Sequence, residues 1–463
     1  MLWTLLERMK AIQMAGRDTI DKGGITGVWL AHRFYLVVTD PETASLFLRV
    51  CLEKDDIMQM CFKMFIGNGS ITAPVHIWRP RRKILLPHFN SKNLNQFVNV
   101  FDVQSRFMVK QLRSAVGAGS FSLYNHISTC TLASIFETAL GGKIKDYYCY
   151  VDIQRLLKFI EKGLDILAIR GFQPWLYPDF VFKLTASFKT MTNIKEFIDN
   201  VARQIFAFKR KLVEENQNKE VQSESNQNMA EKFKPLLELL IESSGGKLKY
   251  TDIEMQEEFV VLVVAGTDTS AVATSFTILM LSQFPDIQEQ VYSELKEVFE
   301  DSTRVTTAGD LARLKYLEVV IKETLRLYPP VPIVMRRVES DVILPSGITV
   351  PSDCGVVVNI WALHRDPRYW GEDAEQFRPE RFIDVPLKHP AQFMPFSHGP
   401  RNCPGTQYAM TAMKTVLATL LRNYRIIPAR KSTSSIPGQP LRLKFKLLMK
   451  DVDNFMVELE NRN

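Results

Sequence analysis

The sequence predicts a mainly α-helical fold with a small β-rich region. Between Asn90 and Leu240, apolar residues recur at three- and four-residue spacing, which is typical of long amphipathic helices. Phe259 to Leu281 is a nearly continuous apolar run, long enough for a buried central helix. The β-rich runs are short and lie near the start and in the last third of the chain. No Pro/Gly/Ser-rich linker divides the 463 residues, so we expect one domain over residues 1–463.

Composition and charge exclude some classes of protein. The formal net charge of +7 is weak and dispersed, which argues against a nucleic-acid-binding protein and suits an anionic partner or a membrane surface. A chain of this length builds a core without disulfides, and its cysteines show no regular spacing, so we interpret them as free thiols in a reducing compartment. The six cysteines are at positions 51, 61, 130, 149, 354 and 403.

The first predicted elements are a β-hairpin and a helix. Val28 to Leu30 and Phe34 to Val38 are β-rich and lie three residues apart. Asp40-Pro41-Glu42 then supplies an N-cap, and the helix runs through Leu48. Asp55 to Val75 has no clear period, so no element is predicted there.

A tryptophan and an arginine share the next helix face. Trp78 and Arg82 lie four residues apart, which places an indole N–H and a guanidinium side by side. The pair can hold an anion, or it is one buried tryptophan in a basic surface turn. Arg79, Arg81 and Lys83 are expected to remain solvated, available to an acidic protein partner.

Two segments interrupt the helical region. Phe172 to Pro178 is apolar, aromatic and proline-containing, and it is either a packed loop or a surface that dips into a bilayer. Asn216 to Asn228 is rich in Asn, Gln, Ser and Glu, and we interpret it as a solvated connector.

The central apolar run carries an acid and hydroxyls near its middle. Asp268 lies among Thr267, Thr269 and Ser270, and a central aspartate costs about 2.5–3.5 kcal/mol in a membrane, so a buried core helix is preferred. Gly266 removes bulk, and a threonine hydroxyl can bond the helix backbone and open it locally. The alternative is a core helix whose hydroxyls are simply satisfied.

The last third of the chain combines charged residues with short strands. Glu323 and Arg326 lie three apart on an apolar helix from Leu314 to Leu327. Burial of this pair demands further pairing, and Arg381 is the candidate third member. Strand patterns lie at Val342 to Val350 (a hairpin), Gly355 to Ile360 and Leu441 to Leu447.

The most informative stretch runs from Phe396 to Gly405, before an apolar-periodic helix through Tyr424. Cys403 stands at the mouth of that helix, whose positive dipole end favours a thiolate, and a thiolate can ligate iron or attack carbon. Arg401 adds a cation two residues earlier, and Phe396 supplies an apolar shield.

Other roles for Cys403 remain open when the cysteine is considered by itself. A lone cysteine before a helix is commonly a buried small hydrophobe. A structural zinc site needs a second Cys or His two to four residues away, and only His398 is near. In a cysteine-dependent phosphatase loop the arginine follows the cysteine, whereas Arg401 precedes it.

The same stretch resembles the haem-binding loop of the cytochrome P-450 family, the haem-thiolate monooxygenases. That loop has Phe, Gly, Arg, Cys and Gly at fixed spacing. This chain matches all five positions, with Phe396, Gly399, Arg401, Cys403 and Gly405.

The resemblance extends in order along the chain and implies a cytochrome P-450 fold with haem between the central helix and the cysteine loop. Cys403 would ligate the iron. Trp78, Arg82 and Arg336 would bind haem propionates, Arg337 being the neighbour that could be confused with the last. Ala265 to Ser270 is similar to the family's oxygen-binding helix motif. The other positions assigned to the cofactor are Ala265, Gly266, Phe396, Arg401 and Gly405.

The implied reaction is monooxygenation of a small hydrophobic substrate. Electrons would come from an NADPH-dependent flavoprotein reductase, with cytochrome b5 as a further donor, and Asp268 and Thr269 would deliver protons. Two alternatives stay open: a haem-thiolate isomerase or dehydratase that needs no external electrons, and a non-catalytic haem- or ligand-binding relative.

Trp78 to Phe89 and the spacing from Val331 to Arg337 resemble the insect and vertebrate fatty-acid-hydroxylase branch, family four. Many members of that branch carry a glutamate, bonded covalently to haem, where this chain has Ala265. We therefore expect non-covalent haem b. Fatty-acid-like, hormone-like or xenobiotic substrates are expected, without a claim to terminal-carbon selectivity.

The resemblance also implies a location on the cytosolic face of the endoplasmic reticulum membrane. Animal members usually carry an anchor helix and a proline-rich hinge. Here Met1 to Leu6 is apolar, but Glu7 and Arg8 end the run, well short of the roughly twenty residues that a span needs, and no signal-peptide pattern is present. We expect this chain to begin after the anchor and hinge.

Overall fold

A computed structural model describes residues 4–30, 33–142, 152–222, 235–237, 250–300, 303–430, 432, 436 and 438–462. The helices in chain order are α1 (Leu5–Asp21), α2 (Pro41–Val50), α3 (Asp56–Ile66), α4 (Val75–Leu85), α5 (Ser91–Gln111), α6 (Tyr124–Ile135), α7 (Ile153–Gly171), α8 (Asp179–Lys183), α9 (Ala186–Gln222), α10 (Asp252–Gln283), α11 (Pro285–Phe299), α12 (Ala308–Arg313), α13 (Lys315–Leu327), α14 (Ile360–Leu363), α15 (Pro367–Trp370), α16 (Arg381–Asp384) and α17 (Thr406–Asn423). The strands are β1 (Ile25–Leu30), β2 (Arg33–Val38), β3 (Phe121–Ser122), β4 (Ile333–Arg337), β5 (Val342–Ile343), β6 (Thr349–Val350), β7 (Gly355–Asn359), β8 (Tyr424–Pro428), β9 (Leu443–Lys446), β10 (Leu448–Asp451) and β11 (Met456–Asn461).

Helix α10 is the buried centre of the molecule. It begins with a capping box, in which Thr251 Oγ1 accepts from the Glu254 N–H and the Glu254 carboxylate accepts from the Thr251 N–H. Among the described residues it is the one helix long and apolar enough to cross a membrane, and 78% of its most apolar stretch is buried inside the protein. Its neighbours include α6, α9, α13 and α17. The predicted core helix is confirmed.

The larger sheet has the strand order β1-β2-β7-β4. The predicted hairpin is its antiparallel β1–β2 edge, with β2 and β7 pairing in parallel. Asp40 Oδ2 accepts from the Thr43 N–H and caps α2, as predicted. The predicted hairpin of β5 and β6 also forms.

One stretch differs from the sequence prediction, and a second extends beyond it. Asp56–Ile66 is helix α3, capped by Asp55, although the sequence showed no period there. Its buried residues Cys61, Phe62, Phe65 and Ile66 follow helical spacing, so a period is present that the prediction missed. The strand predicted from Leu441 to Leu447 is confirmed as β9, and it continues into a hairpin with β10, because Leu447 adopts a positive φ of 65° and reverses the chain.

The expectation that Arg81 is solvated is wrong. Its side chain is buried and donates to Glu258 Oε1 at 2.9 Å, Glu254 Oε1 at 3.0 Å and the Asn68 carbonyl at 2.6 Å. Helix α4 packs one basic side chain against the acidic N-terminal half of α10, and a buried guanidinium needs such partners. The cluster ties α4, α10 and the loop after α3 together.

The structure agrees only in part with the predictions for the two segments that interrupt the helical region. Trp175 is 48% exposed whereas Leu176 is buried, so Phe172 to Pro178 is packed on one side and open on the other. The predicted connector from Asn216 to Asn228 is helical up to Gln222, and its remainder lies outside the described residues.

The predicted charged cluster forms in the core. Arg326 Nε and Nη2 donate to the two oxygens of Glu323 at 2.7 and 2.8 Å, and Arg381 Nε donates to Glu323 Oε1 at 2.9 Å. Arg326 also donates to the carbonyls of His364 and Ala374. The Glu323 and Arg326 side chains are fully buried, and these bonds join α13 to the segment that precedes the cysteine loop.

Candidate functional site

The loop from Phe396 to Gly405 is closed on itself before α17 begins. The Cys403 N–H donates to the Phe396 carbonyl at 2.9 Å, and the Asn402 N–H donates to the Gly399 carbonyl at 3.1 Å. Thr406 Oγ1, at the start of α17, donates to the Cys403 carbonyl at 3.0 Å. These bonds fix the position of the cysteine backbone.

The Cys403 side chain is solvent-accessible on one side while protein packs closely around the rest. Burial raises the pKa of its thiol, while the Gly405 N–H and the Arg82 guanidinium act in the opposite direction. The helix dipole was expected to favour the thiolate form of Cys403. In the protein alone, desolvation of the thiol outweighs that effect.

Gly399 is held where no side chain fits. Its φ is +75°, and an added Cβ would lie 2.3 Å from the carbonyl oxygen of Leu48. We expect Gly399→Ala to cost more than the roughly 1–3 kcal/mol of backbone strain alone, because the clash is with backbone. Thermal unfolding would measure the effect. Gly347→Ala is the control, since it also has a positive φ, of +83°, but meets nothing within 4 Å; equal losses in the two variants would contradict the clash.

Two predicted cations and a tryptophan surround the loop. Arg82 donates from Nη1 to the Asn402 carbonyl at 2.8 Å and from Nη2 to Asn402 Oδ1 at 2.7 Å. Arg401 donates to the carbonyls of Leu52 and Ala73, both at 2.8 Å. Its guanidinium lies 4.7 Å from the ring centre of the buried Trp78. The structure thus brings Trp78, Arg82 and Arg401 together at Cys403.

Arg336 is buried with most of its hydrogen-bonding capacity unused. Nη1 donates to the Met335 carbonyl at 2.9 Å, but Nε and Nη2 have no partner among the described residues. Burial lowers its pKa to about 10. Arg82 Nε is likewise buried and unpartnered. Buried donors of this kind are costly unless an acceptor reaches them, and charged donors prefer an anion.

The helix motif divides between two faces of α10. Leu262, Ala265, Gly266 and Thr269 are half-buried and follow helical spacing, so they form one accessible stripe on a helix that is otherwise buried around them. Thr269 Oγ1 donates to the Ala265 carbonyl at 2.5 Å, as expected of a threonine that bonds the backbone. No hydrogen bond between described residues joins this motif to the cysteine loop.

Gly266 serves the packing of α6. An added Cβ would lie 2.3 Å from Ile135 Cδ1. The bulk removed at Gly266 thus admits a neighbouring helix as well as leaving part of the stripe open.

Asp268 lies on the buried flank, away from the stripe. Its Oδ1 accepts from Tyr124 Oη and from Lys450 Nζ, the latter at 3.0 Å, while Oδ2 has no partner among the described residues. Lys450 also approaches Glu161, which is 38% exposed, at 3.8 Å. Sequence reasoning missed Tyr124 and Lys450; a lysine within the apolar run of β10 was the available signal.

A family model described as Cytochrome P450 matches residues 4–452. The chain belongs to the cytochrome P450 family, and it is a monooxygenase, an oxidoreductase that incorporates oxygen.

Its relatives place it with family four. It is 33% identical to Cytochrome P450 4d2 of Drosophila melanogaster over 88% of this chain and 82% of that protein. It is 30% identical to Cytochrome P450 4c21 of Blattella germanica over 94% of this chain and 85% of that one. Identity to Cytochrome P450 4V2 of Homo sapiens is 31%, over 86% and 75%.

The residues present fit the haem-thiolate cofactor of this family. Cysteine is the protein ligand of haem in this class, and Cys403 is accessible at a fixed loop. The unpartnered N–H groups of Arg336 and Arg82 are the donors that carboxylates would satisfy.

Proposed function

We propose that the chain is one haem-thiolate monooxygenase domain over residues 1–463, in which Cys403 ligates the iron of haem b. Trp78, Arg82, Arg336 and Arg401 bind the haem carboxylates. The observation that carries the assignment is Arg336, a buried cation whose Nε and Nη2 have no partner among the described residues. A group bearing carboxylates beside the cysteine loop would supply the missing acceptors. The remaining cofactor contacts are Phe396 and Gly405 in the loop and Ala265 and Gly266 on α10.

The haem is non-covalent. Ala265 has no group that can form an ester, and it lies on the accessible stripe of α10. Retention therefore depends on Cys403 and the cations.

When bound, the haem supplies the redox chemistry that activates dioxygen. Thr269 presents its hydroxyl on the accessible stripe and can pass a proton there. Asp268 contributes to proton delivery from the buried flank, where Lys450 and Tyr124 donate to Oδ1 and Oδ2 has no partner among the described residues. Both residues act on proton delivery.

The substrate is a small hydrophobic molecule, fatty-acid-like, hormone-like or xenobiotic, and the electron donors are an NADPH-dependent flavoprotein reductase and cytochrome b5. Similarity to family-four relatives and the apolar content of the α10 stripe support this class.

The enzyme works at the cytosolic face of the endoplasmic reticulum membrane. Large apolar side chains exposed in two parts of the chain support a membrane contact. These are Trp29 in β1, at 72% exposure, and Trp175, Phe180 and Leu184 around α8, at 48, 72 and 86%.

Labelled dioxygen tests the function. The haem-loaded protein, reductase and NADPH are incubated with a panel of fatty acids and apolar xenobiotics. We expect product with one labelled oxygen atom and NADPH consumption that rises with substrate. Turnover without NADPH would instead identify an isomerase or dehydratase. Substrate binding without NADPH consumption across the panel would identify a non-catalytic relative.

Replacing Arg336 tests whether haem retention depends on this particular arginine or on any positive charge nearby. We expect Arg336→Leu to speed haem loss to a scavenging globin about 10-fold to 100-fold, since a hydrogen bond to a charged group contributes about 1.5–3 kcal/mol. Arg337→Leu is the matched control, because that side chain is 41% exposed and pairs with Asp56 and Asp353. Faster loss in the Arg337 variant than in the Arg336 variant would reverse the assignment.

A further inference from the structure

Lys54 is a buried cation that neither the sequence motifs nor the family comparison single out. It lies between α2 and α3 and is 9% exposed. Its Nζ has no hydrogen-bond or ion-pair partner in the part of the chain that the structure describes. Lysine is rarely buried in this state, because removing an ammonium from water without a counter-charge is costly.

The neighbours of Lys54 are the cations of the cysteine site. Burial lowers its pKa well below the ordinary range, and the positive charges of Arg336 and Arg401 lower the pKa further. The backbone confirms this proximity, because Arg401 Nη1 donates to the Leu52 carbonyl and the Arg337 N–H donates to the Glu53 carbonyl. Residues 52 to 54 therefore pass between the loop cation and strand β4.

No acid among the described residues bonds to Lys54. Glu53 Oε1 accepts from the Val75 N–H at 2.8 Å, and the Glu53 charge acts on Arg401. Asp55 caps α3 and accepts from Tyr35 Oη at 3.0 Å. Lys54 and Arg336 are thus two neighbouring cations, and among the described residues no acid is bonded to either. Arg336 also keeps two free N–H donors, Nε and Nη2.

We propose that Lys54 is a further haem-binding residue, whose Nζ and the free Nε and Nη2 of Arg336 bind the same carboxylate edge of the cofactor. The inference rests on the proposed function of the Cys403 site. Residues 52 to 54 would then be a second chain segment, besides strand β4, that binds the carboxylate edge of the cofactor. It also accounts for two unpaired buried cations with a single ligand.

Lys54→Met in the haem-loaded protein tests the proposal, with two readouts. We expect haem loss to a scavenging globin to become about 10-fold to 100-fold faster. We also expect the propionate bending bands in the resonance Raman spectrum to shift, a change that a purely structural lysine would not cause. Lys63→Met, an exposed lysine on α3, is the control and should change neither.

The outcomes separate the possibilities. Lys54→Arg keeps the charge, so it should retain haem better than Lys54→Met, and it replaces the methionine variant if that one does not fold. Unchanged Raman bands, with or without faster haem loss, would overturn the contact. A parent protein without the red-shifted carbon monoxide band of thiolate-ligated haem would overturn the Cys403 assignment instead, whichever way the Lys54 variants behave.

Discussion

The Cys403→Ala protein is expected to lose the strongly red-shifted absorbance band that the reduced, carbon monoxide-treated parent shows, and to lose monooxygenation with it. Thiolate ligation gives the iron the electron density that favours cleavage of the oxygen–oxygen bond, and alanine offers no ligand. Absorbance spectra of parent and variant, recorded after reduction under carbon monoxide, measure the effect directly.

Cys354→Ala is the matched control for this experiment. Cys354 is a buried free thiol beside β7, and its removal should leave the band intact. A histidine-like band in the parent, or a well-folded parent that takes up no haem, would contradict the assignment of Cys403 as the haem ligand. Cys403 would then be a structural thiol.

Glu323→Ala is expected to destabilise the protein by about 3–5 kcal/mol, because it leaves the buried guanidinium groups of Arg326 and Arg381 without their shared carboxylate. That loss is a large fraction of the stability of most proteins. The yield of folded, haem-loaded protein and the midpoint of denaturant unfolding should both fall sharply.

Glu297→Ala on α11 calibrates this effect. Glu297 is exposed, and such a substitution should change the free energy of unfolding by no more than about 0.5 kcal/mol. If the Glu323 and Glu297 variants unfold at the same denaturant concentration, the buried cluster contributes nothing special to stability.

Local sequence signals predicted much of the fold because they act over a few residues. Asp40 before Pro41 marked the start of α2, and the paired β-rich runs marked β1 and β2. Helix α3 was missed although its buried residues, Cys61, Phe62, Phe65 and Ile66, follow helical spacing. The chain reversal at Leu447 was not predicted, because no residue with a turn preference marks its positive φ.

The site was predictable where a motif is contiguous and unpredictable where it depends on distant contacts. Cys403 and Arg401 lie in one loop, and their arrangement follows from their spacing. Lys54 lies near Arg336 because residues 52 to 54 run past β4. Lys450 bonds to Asp268 across 182 positions of sequence. Arg81 was wrongly predicted to be solvated for the same reason, because its acidic partners belong to another helix.

The bonds from Arg82 to Asn402 link two processes that are usually considered apart. Asn402 precedes Cys403, and Arg82 holds both its carbonyl and its side chain. On the proposed function, cofactor capture at α4 and ordering of the cysteine loop would be one cooperative event. A ligand that binds only the native state stabilises it in proportion to the logarithm of its concentration. Cellular supply of haem would thus set how much of this polypeptide escapes degradation, as well as how much of it is active.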